Sequence, residues 1–149
     1  MIRPGILADI PDIIELGLHV LTNSAYQLAP NVDKAAAKFK QAIKNPNMFC
    51  VVAENQTGDV VGVLVINMSE SWLSDDHTAH DAVFYIHPSY VNKAPFMIKR
   101  ALSWVSARPS IKQFHLGITS GYANTTRTGQ LYQRLGFSQV GENYLKIMR

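Results

Sequence analysis

An α/β (α+β) fold, a mixed central sheet flanked by helices, is predicted by three features of the sequence. Short apolar runs rich in β-branched residues alternate with longer stretches whose apolar residues recur at helical spacing. Strand-turn-strand and strand-helix-strand connections occur in the same chain, in the order β-α-α-β-β-β-α-β-α-β(β), so the sheet is mixed. At 149 residues, 47% hydrophobic and 17% charged, the chain fits a single domain spanning 1–149 with a full core.

In chain order, residues 1–7 read as a short edge strand weakened by Pro4 and Gly5. Asp9 then caps a helix with Pro11 in its first turn and Asp12 near the positive end of its dipole. Ile13, Leu16, Gly17, Val20 and Leu21 contribute to its broad apolar face. A loop containing Tyr26 follows. Asp33 starts a second helix, with Ala36, Phe39, Ala42 and Ile43 on one side, and Asn45-Pro46 stops it. Met48–Glu54 is a strand, and Asn55-Gln56-Thr57-Gly58-Asp59 is a hairpin turn into a second strand over residues 60–68. Residues 69–80 are the longest polar interval, of a length that marks a functional or mobile loop.

Residues 82–105 organise the chain. The run 82–86 has no polar alternation and reads as a strand buried on both faces; His87-Pro88 ends it. After a loop over 89–94, Pro95 sets the first turn of a helix in which Met97, Ile98, Ala101, Leu102, Trp104 and Val105 share a face. Strand, loop and helix in this order put unpaired helix N–H groups beside the strand's carboxyl end, an anion site and typically a phosphate site. Residues 113–119 are a further strand, Ser120-Gly121 a turn, and 126–135 a helix closed by Gly136. One or two final strands are expected over 137–148.

The net charge of +3 is scattered, without the basic-aromatic interleaving that tracks nucleic acid, so no nucleic-acid partner is expected. No 18-residue apolar run and no leader-like opening occur, so neither a membrane span nor secretion is expected and cytoplasm is the default. Cys50 has no partner for an internal disulfide and sits in an apolar run, which makes it a small core residue. His77-x-x-His80 with Asp75 and Asp76 has no third partner at ligand spacing, and no metal is expected.

The element order, the strand-loop-helix at 82–105 and above all Leu131-Tyr132-Gln133-Arg134-Leu135-Gly136-Phe137 resemble the GCN5-related N-acetyltransferase family, whose last conserved helix reads L-Y-x-x-L-G-F. Ile2-Arg3 and the stretch from Ala8-Asp9 to Leu16 are similar to that family's first strand and helix, so the resemblance covers nearly the whole chain. It implies a GNAT-like acyl-CoA N-acyltransferase fold. It also implies acetyl-CoA as co-substrate and direct attack by a primary amine, on a small molecule or a protein, without a covalent enzyme intermediate. A homodimer through a terminal strand edge is a further expectation.

The resemblance also assigns roles. Tyr132 matches the tyrosine that protonates the leaving thiolate, and an ordinary phenol keeps its proton at neutral pH, as an acid must. Its other reading is packing. His80 and Asp81, entering the central strand, are the candidates for the amine's base, with Glu70 beyond them and a water relay as the alternative. The family's pyrophosphate loop, Q/R-x-x-G-x-G/A, falls on Val91 to Phe96 and departs from the pattern: its glycines are replaced and Pro95 deletes an amide. Cofactor contacts are expected from Ile86 and His87 at the strand end, from the backbone of Asn92, Lys93 and Ala94, and from Phe96, with Lys93 supplying charge. Asn124 or Thr125 stands for the asparagine that contacts the pantetheine arm, and Arg127 can reach a phosphate. The competing reading of the eroded loop is an inactive acetyltransferase-like module that binds a protein partner.

Overall fold

The structure, a computed structural model, describes residues 1–118 and 125–148. Its sheet has five strands in spatial order β1 (Ile2–Pro4), β2 (Met48–Glu54), β3 (Val60–Glu70), β4 (His77–Ile86) and β5 (Ile111–His115). The first three pairings are antiparallel and the β4–β5 pairing is parallel. Helices α1 (Ile10–Asn23) and α2 (Val32–Lys44) pack on one face, α3 (Ala94–Ser106) on the other, and α4 (Thr125–Arg134) follows β5.

Alternation along β3 explains why its buried stretch, residues 61–66, must be apolar. Val63 and Val65 join Ile13, Leu16, Phe39 and Ala42 under α1 and α2, while Leu64 and Ile66 join Met97 and Ala101 under α3. β3 is therefore the strand buried on both faces, a role the sequence suggested for residues 82–86. Those residues are only half-buried or exposed.

β4 begins at His77, so the expected twelve-residue loop shrinks to 71–76 and its two histidines lie on a strand. β-pairing overrides composition here: His77 to His80 pair with both β3 and β5. The hairpin turn has Gly58 at φ +83°, a conformation that favours glycine. Asn31, rather than Asp33, caps α2, its side chain accepting the Lys34 N–H at 3.0 Å. Asp9 precedes α1 but makes no side-chain cap to it. Its carboxylate instead accepts the Ile6 N–H at 2.8 Å and takes a two-pronged grip from Arg3 at 2.8 Å on each oxygen.

β5 stops at His115. Residues 137–148 form no strand among the described residues, and Val140, Tyr144 and Met148 are exposed.

Candidate active site

β4 is ten residues long, but β5 pairs only with its first four, from His77 opposite Ile111 to His80 opposite His115. From Asp81 onward the β5-facing edge of β4 has no strand partner among the described residues, and the sheet opens. The Asp81 carboxylate spans the opening, accepting the Gly117 N–H at 3.1 and 3.3 Å. The Gly117 carbonyl in turn accepts the Tyr132 hydroxyl at 3.1 Å.

Burial pushes the Asp81 carboxyl up to about 6, with the N–H groups of Gly117 and of Asp81 itself pulling the other way. Burial and then the Asp81 charge also raise Tyr132 above its ordinary value, so its proton stays in place at neutral pH.

One residue further, β4 carries a bulge. Val65 faces Val83 and Ile66 faces Asp81, leaving Ala82 as the extra residue. Ala82 and Val83 both line a cavity of about 650 Å³ between α1, α2 and the β3–β4 pair. Tyr85 forms another part of that wall, close enough to α1 that a Cβ on Gly17 would meet its ring at 3.4 Å. The opening at Asp81 and the cavity at Ala82 thus adjoin at two successive residues.

The turn after β4 is wound more tightly than the sequence suggests. Residues Pro88–Lys93 form a 3₁₀ turn in which His87 Nδ1 accepts the Ser89 N–H at 3.2 Å and the Ala94 N–H donates to the Val91 carbonyl. That donor, expected to remain free for phosphate, is already used, and Ala94 is buried. Asn92, Lys93 and Phe96 line a separate cavity of about 570 Å³ with Met1, Lys99 and Arg100, on the side of β1. Ile86 packs into the core beneath α3, and the His87 ring stacks on His19 with centroids 5.9 Å apart.

The remaining candidates are dispersed. Thr125 and Arg127 are exposed on the first turn of α4, and Asn124 lies outside the described residues. His80 sits between Asn67 on β3 and His115 on β5, one pair before the bulge. Glu70 is exposed at the far end of β3, 4.0 Å from His77. Cys50 is half-buried, and burial pushes its thiol up to about 12. Gly117, Asn67 and Tyr85 escaped the sequence reading. A glycine just beyond a strand was the only signal for the first.

No protein-family model matches the sequence. No curated protein matches it. Solved structures do match over the full chain. A glucosamine-6-phosphate N-acetyltransferase from Arabidopsis thaliana superposes with a TM-score of 0.75 at 12% identity, covering 100% of this chain and 98% of that one. An aminoglycoside antibiotic 6'-N-acetyltransferase from Acinetobacter baumannii gives 0.71 at 13% identity, covering 100% and 97%. A ribosomal-protein-alanine N-acetyltransferase from Brucella melitensis gives 0.67 at 14% identity, covering 99% of each.

The chain has the GCN5-related N-acetyltransferase fold.

Within this fold, the run Leu131 to Phe137 has a clear local purpose. Tyr132 points its hydroxyl at Gly117, and Gly136, at φ +94°, lets the chain reverse after α4. The Phe137 N–H then donates back to the Tyr132 carbonyl at 3.0 Å. Its ring meets Phe114 of β5 edge-on at 5.5 Å and Tyr132 at 5.9 Å. The motif docks α4 against the end of β5 and sets the tyrosine at the opening of the sheet.

Proposed function

We propose that the protein is an acetyl-CoA-dependent N-acetyltransferase acting on a primary amine. The observation that carries this reading is the junction at Asp81-Ala82, where an open strand edge and the α1–α2 cavity adjoin. A thioester laid along the open edge and an amine in the cavity would meet there, which supplies the proximity that acyl transfer needs.

In this reading the neutral amine attacks the thioester carbonyl carbon, forming the C–N bond. Charge develops on the carbonyl oxygen beside β4, whose edge has backbone groups without a ladder partner to receive it. The C–S bond then breaks and Tyr132 gives its hydroxyl proton to the departing thiolate, releasing Gly117 as it does so. The amine's surplus proton leaves through His80 or water. Asp81 holds Gly117, and through it the tyrosine. The three solved neighbours above are named for acetyl transfer to an amino sugar, an aminoglycoside and a protein alanine, which agrees with an amine acceptor. Phosphate binding would fall to Arg127 and the start of α4, since the Ala94 amide is engaged.

That engaged amide, together with Pro95 in the first turn of α3 and Lys93 lining the other cavity, favours a second reading: an inactive module with a protein partner. Calorimetric titration with acetyl-CoA separates the two. Micromolar binding that weakens in Thr125→Glu, a substitution at an exposed position, supports the transferase. An absence of binding at millimolar acetyl-CoA removes the transferase reading and leaves the module.

A further inference from the structure

We infer that the cavity between α1 and α2 admits a primary monoamine with an apolar, aromatic-sized body and turns away polycations. The inference rests on the transferase reading above and names its acceptor class.

The walls carry the argument. Leu18, Leu21, Leu28, Phe39, Val83 and Tyr85 make much of the surface, and about 650 Å³ is room for a ring system. Among the described residues no aspartate or glutamate lines the cavity, and the one charged lining side chain is Lys38, exposed on α2. The amino-terminal turn of α2, at Asn31 and Val32, also faces the cavity and adds the positive end of its dipole.

A second ammonium on the ligand would therefore lose its hydration and meet no counter-charge, a cost that an apolar body does not incur. For a single amino group the same surroundings help. Desolvation disfavours the ammonium and favours the neutral amine that attack requires.

The lining also carries the amides of Asn31, Gln41, Asn45, Asn47 and Asn67, and Asn67 is the one beside the reacting junction. Asn67 lines the cavity and stands opposite His80, one pair from the bulge. Its Oδ1 is buried and accepts no hydrogen bond from the described residues. An orphaned buried acceptor of this kind is costly unless something donates to it.

The test is release of free thiol from acetyl-CoA with 2-phenylethylamine and tryptamine set against spermidine and kanamycin, alongside calorimetry with acetyl-CoA alone. The arylalkylamines are expected to exceed the polycations in kcat/KM by roughly tenfold or more, the scale on which pockets discriminate such groups. Leu28→Asp and Lys38→Glu, both at exposed positions, are expected to raise polycation kcat/KM and narrow that gap. Equal or better turnover of the polycations by the unaltered protein overturns the inference. So does an acetyl-CoA-binding protein that acetylates neither arylalkylamine. A protein that binds no acetyl-CoA fails earlier, at the transferase reading, and the two failures are thereby distinct.

Discussion

Asp81 and Tyr132 hold one residue, Gly117, from opposite sides: the carboxylate takes its N–H at 3.1 Å and the phenol gives a hydrogen bond to its carbonyl at 3.1 Å. This clasp spans the opening of the sheet where the β4–β5 ladder ends, and it couples a buried acid to the Tyr132 hydroxyl.

Asp81 makes acidity stabilising over a defined range. Its folded value of about 6 lies above the ordinary aspartate value of about 3.8, so the folded protein holds that proton more tightly than the unfolded chain does. Its contribution is full below the unfolded value, falls as the pH rises towards the folded one and is flat above. Asp81→Asn keeps an acceptor for Gly117 without the buried charge, so it should be at least as stable as the parent at neutral pH and should flatten this slope. Asp81→Ala should cost about 1–3 kcal/mol by orphaning the amide. Thermal melts across the acid range check all three, and a parent-like slope in Asp81→Asn would refute the assignment.

Tyr132→Phe separates chemistry from packing. The ring contacts with Phe137 remain, and the lost bond to Gly117 should cost only about 1 kcal/mol. If the hydroxyl is the acid, kcat should fall by roughly 10²–10⁴ with acetyl-CoA affinity little changed. Steady-state kinetics with calorimetry decide it; an unaltered kcat would leave Tyr132 a packing residue.

Arg127→Ala tests where the cofactor's phosphates lie. Loss of a charge-assisted contact should weaken acetyl-CoA by roughly ten- to a hundredfold, and the variant's affinity should depend less on salt than the parent's. Titrations at low and high ionic strength give both numbers. Unchanged affinity would move the phosphates elsewhere.

Arg3 tests the opposite sense of acid dependence. Burial pushes Asp9 up, but the Arg3 bonds and the Ile6 N–H outweigh it and hold its carboxyl below the usual range. That contribution is present above the unfolded carboxylate value and is lost as the pH falls through the lower folded one. Arg3 also reaches Glu54 at 2.6 Å, so Arg3→Met strands a buried carboxylate and loosens the β1–β2 edge. We expect a loss of about 2–3 kcal/mol at neutral pH, read from urea midpoints, and a shallower loss on acidification.

The elements legible in the sequence are those set by neighbours in the chain. The Asn55 to Asp59 turn, the Pro95 start of α3 and the Gly136 close of α4 each depend on backbone geometry within a few residues, and each stands where its residue types require. Tyr132 was singled out locally as well, through the motif around it, and Asp81 was named from its expected place entering the central strand; their catalytic roles are proposals. What lay beyond reach depends on partners distant in the chain. Asp81 and Gly117 are 36 residues apart, so nothing local reveals that one holds the other across the opening of the sheet. The start of β4 at His77, the bulge at Ala82 and the lack of a carboxylate among the described residues lining the α1–α2 cavity arise from pairing register and helix placement. Periodicity reports which face of an element is apolar; only the packed sheet decides which residues that face meets.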